Sequence, residues 1–234
     1  MTMKRAIVLV AVFTLLLAGC AQKQESDIET VAPADNLIFD VVASNETQQS
    51  ETAHTVIPLP DMTIENLDDS IVAISLEAGD AYVDENGTMQ MAVTVYSYDK
   101  YDMVDIANLN VGDIIVRFSG EVNVTSKEQD EAGTIYINGG LENGGFNLVT
   151  DEDGVFYEMG YNDSKNWYEV EKVTLPISAD FIGVDNADLE HRDLVLTPDS
   201  FLNDQIIIFD FTPYNTTIRI EGGQIVELNR RYIP

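Results

Sequence analysis

The residues of this chain whose types and spacing could do chemistry are carboxylates and aromatic rings. Asp151-Glu152-Asp153-Gly154 carries the Asp-x-Asp-Gly core of a calcium loop, because hard cations take clustered carboxylate and carbonyl oxygens. Further out the pattern fails: Val149 stands where the first ligand belongs and Gly160 where the closing carboxylate belongs, leaving Glu158 to return along a strand. Asp151, Asp153 and Glu158 are therefore the metal candidates, but a tight hairpin turn explains the same loop and no metal is expected. The second cluster is aromatic: Phe156, Tyr157, Tyr161, Trp167 and Tyr168 crowd two neighbouring candidate strands joined by Asn162-Asp163-Ser164-Lys165-Asn166. Ring faces stack on the C–H side of a pyranose while adjacent amides and carboxylates take its hydroxyls. Tyr161, Asn162, Asp163, Asn166, Trp167 and Tyr168 are the candidate saccharide-binding residues. Core filling is the simpler account of such a cluster, and Trp167 and Tyr168 must face opposite ways on a regular strand.

Catalytic constellations are missing. The sequence has no Gly-x-Ser-x-Gly elbow, no His-Glu-x-x-His, no phosphate-binding glycine loop and no dinucleotide fingerprint. Of its 2 histidines, His54 precedes the β-patterned region and His191 sits in the charged stretch Leu189-Glu190-His191-Arg192-Asp193. The 41 acidic residues would allow a carboxylate-pair glycosidase, yet they single out no pair. No catalytic residue, cofactor or enzymatic activity is expected.

The one cysteine closes Leu17-Ala18-Gly19-Cys20, after Lys4, Arg5 and an apolar run over residues 6–17 broken only by Thr14. That is the layout of an export signal, too short to span a bilayer comfortably. The tetrapeptide resembles the lipobox of bacterial lipoproteins. The resemblance implies a signal peptide over 1–19, a diacylglyceryl thioether on Cys20 and fatty acylation, palmitate included, of the new N-terminus. It places the protein on the extracytoplasmic face of the cell membrane. Each buried methylene contributes about 0.8 kcal/mol, so two or three acyl chains hold firmly.

Loss of Lys4 and Arg5 leaves 10 Lys and Arg against 41 Asp and Glu. Such a body repels phosphate backbones, which excludes nucleic acid as a partner, and gains nothing from anionic headgroups. With Cys20 lipidated, the folded part has no disulfide and no thiolate metal site. Five Asn-x-Ser/Thr sequons, from Asn45 to Asn215, are read as turn chemistry.

Residues 20–60 are rich in Gln, Glu, Ser, Thr and Ala and read as a flexible tether interrupted by the apolar Leu37-Ile38-Phe39-Asp40-Val41-Val42. From residue 61 to 234, short apolar runs alternate with Gly, Asn and Asp, which predicts a single all-β domain of antiparallel hairpins. A partly closed barrel or a sandwich with one or two short helices is expected. Requiring apolar residues to share a face pairs Ile220 with Val226, Ile218 with Leu228 and Arg219 with Glu227 around Gly222-Gly223-Gln224. It pairs Phe146 with Met159, Leu148 with Tyr157 and Thr150 with Val155 around residues 151–154, and Phe118 with Val122 and Val116 with Val124 around residues 119–121. Further strands are expected over 71–76, 89–98, 134–138, 167–175, 181–184 and 205–211. Helices are expected behind Asp102 and at Thr197-Pro198. The tail from Phe211 through Gly222-Gly223 to Pro234 resembles uncharacterised lipoproteins of anaerobic Gram-positive bacteria, a likeness that supplies no activity. The expected function is a membrane-anchored, non-enzymatic binding or interaction module for a saccharide or other envelope component. Its alternatives are a carboxylate-pair glycosidase and a cation-dependent structural lipoprotein.

Overall fold

The computed structural model describes residues 53–60, 63–160, 163–190, 192–202 and 210–233. Cys20, the signal segment, residues 37–42, Tyr161, Asn162, His191 and most of the strand expected over 205–211 lie outside them. Among the described residues no helix is long and apolar enough to cross a membrane.

Five strands close a barrel: Ser70–Ser75, Met89–Ser97, Tyr168–Asn186, Thr216–Glu221 and Gln224–Arg231. The second pairs with the first and the third, the third with the fifth, the fifth with the fourth, and the fourth with the first. Only the third–fifth pairing is parallel. This is the Greek-key closure found in OB-type small barrels, an architecture that carries no function by itself. Alternation builds its core. Met91, Val93 and Val95 on the second strand are fully buried against Ile74, Ile218, Ile220, Ile225 and Leu228, each such side chain contributing about 1.5–3 kcal/mol.

Closure depends on the third strand. The expectation of separate strands over 167–175 and 181–184 is corrected, because one strand of 19 residues runs through both. Its first half pairs from Tyr168↔Ser97 to Pro176↔Gln90, and its second half runs beside Ile225 to Arg231. The change of partner falls at Pro176, whose missing N–H ends one ladder. A register shift between Ile177 and Ile182 bends the strand toward its next neighbour.

Residues 98–167, between the second and third barrel strands, build a lobe with a core of its own around Tyr101, Ile106, Ile115, Ile137, Phe146 and Leu148. Its sheet runs Lys100–Tyr101, Phe156–Met159, Phe146–Thr150, Ile135–Ile137, Lys127–Gln129, and a three-stranded sheet lies beside it. Thr55–Val56 forms the outer strand of that small sheet, parallel to Ile114–Ile115 with Val56 buried, so residues assigned to the tether by composition pack on the lobe. The predicted helix is present over Met103–Asn108, with Asp102 accepting from the Val104 N–H at 2.7 Å. Lys127 Nζ closes its other end on the carbonyls of Ile106 at 2.6 Å and Leu109 at 2.9 Å. Pro198–Leu202 forms a short 3-10 helix where a helix start was expected.

Three hairpins share one turn built on Asp-Glu-x-Gly: residues 84–88, 130–134 and 151–155. In each, the aspartate Oδ1 accepts from the N–H groups two and four residues on, at 2.9 to 3.0 Å. Gly87, Gly133 and Gly154 take φ of 81°, 93° and 78°, the left-handed position of a three-residue loop with a G1 bulge.

The expected registers need three corrections. Ile218↔Leu228 and Arg219↔Glu227 are present, the latter with Arg219 Nε 3.0 Å from the carboxylate. The loop, however, is Gly222-Gly223 alone, with φ of 57° and 70°, and Ile220 faces Ile225. A bulge that leaves Val226 without an opposite residue reconciles the two-residue turn with the apolar face. The Phe146 hairpin is displaced by one residue, pairing Leu148 with Glu158 and Thr150 with Phe156. The third hairpin turns at Phe118-Ser119, pairing Ile115 with Val122 and Val116 with Glu121.

Candidate functional site

The one-residue displacement of the Phe146 hairpin is set by its three-residue Asp151 turn and has an electrostatic consequence. It turns Glu158 to the inner face, where only 2% of the residue is exposed. Arg117, at the end of the strand Ile114–Arg117, meets it with a two-pronged ion pair, Nε to Oε2 at 2.7 Å and Nη2 to Oε1. The guanidinium also lies 4.4 Å from the Phe146 ring centroid, and Asn166 Nδ2 donates to Glu158 Oε1 at 2.6 Å. Tyr101, fully buried alongside, donates its hydroxyl to the Val116 carbonyl at 3.0 Å. Burial, then the charges of Asp99 and Glu158, raises its phenol above the ordinary range.

This network closes the seam where lobe and barrel share a chain, and the aromatic residues gather there. Trp167 is half-buried. It packs edge-to-face on Tyr98, centroids 5.1 Å apart, and Tyr98 packs likewise on Tyr157 at 5.9 Å. Lys165 lies among the three rings, its Nζ 3.9 Å from the centroid of Tyr98, 5.5 Å from Tyr157 and 5.8 Å from Trp167. The ammonium donates to the Tyr98 hydroxyl at 2.7 Å. Burial lowers the Lys165 proton affinity and raises that of the Tyr157 phenol. Trp167 precedes the strand that starts at Tyr168, so the two share no regular strand; Tyr168 stacks flat on Phe118 at 4.0 Å with 3° between planes. Phe118, at the tip of its turn, is 64% exposed.

Of the residues singled out in the sequence, the structure brings Asn166 to Glu158 and Trp167 to Tyr98, and sends Tyr168 to Phe118. Asp163 is exposed, with φ of 57°, and Tyr161 and Asn162 lie outside the described residues. Tyr98 and Lys165 were not singled out, nor was Phe118, which alternation had placed inside a strand. Tyr98 follows the last residue of the second barrel strand, whose Ser97 pairs with Tyr168 at the start of the third, so its contact with Trp167 appears only once that register is known.

The metal candidates do not converge. Asp151 Oδ1 is engaged by its own turn, and Glu158 faces inward on Arg117. Among the described residues no three His, Cys, Asp or Glu side chains form a group that could hold an ion. The buried acids have structural partners: Asp185 holds the buried Arg230 through Nε at 2.9 Å, Asp99 accepts from the Phe118 N–H at 2.7 Å, and Asp113 accepts from the His54 and Asn110 N–H groups at 2.9 and 2.8 Å. No family model matches the chain, and no curated protein or solved structure matches it.

Proposed function

We propose that this protein is an envelope lipoprotein, anchored through Cys20 on the extracytoplasmic face of the cell membrane. It acts there as a non-enzymatic module that takes a saccharide at the aromatic seam. The observation carrying the site is the placement of Trp167: it stands half-buried beside Tyr98, Tyr157 and Lys165, with the exposed Asn166 adjoining. Rings with polar groups at their edges suit a pyranose, whose C–H face is apolar and whose rim carries hydroxyls. The anchor is supported by Leu17-Ala18-Gly19-Cys20 behind an apolar run.

A glycan array read alongside Trp167 fluorescence tests the site. Binding without released reducing ends is expected, and turnover would instead favour the glycosidase. Trp167→Ala is expected to abolish binding at a stability cost of about 1–2 kcal/mol, below the roughly 3–5 kcal/mol of a core site. Retention of full glycan affinity by that variant would remove the seam as the site. For the anchor, Cys20→Ser is expected to release the protein from detergent-extracted membranes, and mass spectrometry finding an unmodified Cys20 in the mature protein would refute it.

A further inference from the structure

Asn-Gly occurs at three places in the chain, Asn86-Gly87, Asn138-Gly139 and Asn143-Gly144. A glycine carries no Cβ to shield its backbone nitrogen, so that nitrogen can attack the amide carbon Cγ of the asparagine before it. In a folded protein the attack depends on what holds the asparagine side chain, because Cγ has to swing onto the following nitrogen. The structure separates the three positions. Asn138 is locked: its Oδ1 accepts from the Thr125 N–H at 2.7 Å, the Thr125 hydroxyl at 2.9 Å and the Ser126 N–H at 3.2 Å, and its Nδ2 donates to the Asn123 carbonyl at 2.9 Å. Asn143 is held once, its Nδ2 donating to the Gly139 carbonyl at 2.8 Å. Asn86 stands exposed in the 84–88 turn, where its backbone N–H donates to Asp84 Oδ1 at 2.9 Å and its side-chain amide is bonded to none of the described residues. Gly87, with φ of 81°, has open space on the side where a Cβ would stand.

We propose that Asn86 is a site of spontaneous deamidation and the first of the three to react. The Gly87 nitrogen loses its proton to base and bonds to Asn86 Cγ. The Cγ–Nδ2 bond breaks, the departing nitrogen takes a proton from water, and ammonia leaves a closed succinimide ring. Water then opens that ring at either carbonyl. Opening at Cγ gives ordinary aspartate, whereas opening at the backbone carbonyl routes the chain through the side chain as isoaspartate. Both products add a negative charge. The molecule already holds a turn of the first kind, because Asp151-Glu152-Asp153-Gly154 is Asp84-Glu85-Asn86-Gly87 with aspartate in the third place and the same bonds to its leading carboxylate. Aspartate is therefore compatible with the hairpin that joins Ala81–Val83 to Met89–Ser97. Isoaspartate is not, since its extra backbone methylene falls between the Asn86 and Thr88 N–H groups that share Asp84 Oδ1.

The test incubates the full chain at mildly alkaline pH, folded and, in parallel, unfolded in urea. Peptides covering the three positions are followed by mass spectrometry, with fragmentation that distinguishes aspartate from isoaspartate. Unfolded, all three should convert at similar rates. Folded, Asn86 should convert at least about tenfold faster than Asn138, whose four hydrogen bonds must break first, with Asn143 between them. Asn86→Gln should suppress conversion at that position, because the longer side chain closes a larger ring more slowly. Asn86→Asp should melt within about a degree or two of the parent, while the isoaspartate fraction of the aged parent, separated by ion exchange, should melt lower. Conversion of Asn138 or Asn143 as fast as Asn86 in the folded chain overturns the inference, as does an Asn86 that stays intact while the unfolded chain reacts. An isoaspartate fraction that melts with the parent overturns the account of the turn.

Discussion

Glu158 shows at the scale of one residue why the seam is built as it is. A carboxylate this buried is tolerated because Arg117 and Asn166 satisfy it, and removing one member of a buried pair leaves an uncompensated charge. Glu158→Gln is expected to cost about 3 kcal/mol in chemical denaturation. Arg117→Met combined with Glu158→Leu should cost less than that single change, and a double variant weaker than Glu158→Gln would show that the charges themselves stabilise the seam. Tyr101 makes a second prediction. Its raised phenol keeps its proton in the folded state, whereas the unfolded chain releases it near the ordinary value of 10.0. The unfolded state thus binds fewer protons above that pH, so the contribution present below pH 10 is lost as the pH rises. Tyr101→Phe should flatten the fall in melting temperature between about pH 9.5 and 11, and an unchanged slope would assign the alkaline loss to other groups.

At the scale of the element, the repeated Asp-Glu-x-Gly turn accounts for what looked like half a calcium loop. The Asp151 side chain organises its own hairpin, so Asp151→Ala should lower stability by about 1 kcal/mol with or without calcium. A destabilisation appearing only when calcium is present would restore the metal reading. The elements readable in advance were those whose signal is local. They include the alternation leading into Met91, Val93 and Val95, the helix behind Asp102, the 3-10 turn at Pro198, and Arg219 opposite Glu227. Registers failed where a turn or bulge shifted the ladder by one residue. The Phe146 hairpin follows from the three-residue turn that Asp151 caps, and the glycine turn from a bulge at Val226 that no rule of shared faces anticipates. The aromatic cluster was visible as composition, but its partners Tyr98 and Phe118 come from connections remote in the chain.

The whole molecule carries an excess of negative charge that opposes its own compactness. Sodium chloride should raise the melting temperature progressively, and calcium at equal ionic strength should add little. A sharp rise at micromolar calcium would instead reveal a specific site. The lobe also separates the second and third barrel strands by roughly 70 residues, and bringing the ends of a flexible loop of that length together costs roughly 4 kcal/mol in chain entropy. Pairing of Lys100 with Tyr157 nearly joins those ends before the barrel exists. The lobe is therefore expected to act as a clasp that fastens before the barrel closes. In stopped-flow refolding, Glu158→Gln should act mainly by slowing the folding limb, with the unfolding limb almost unmoved; the opposite partition would mean that the barrel closes before its clasp.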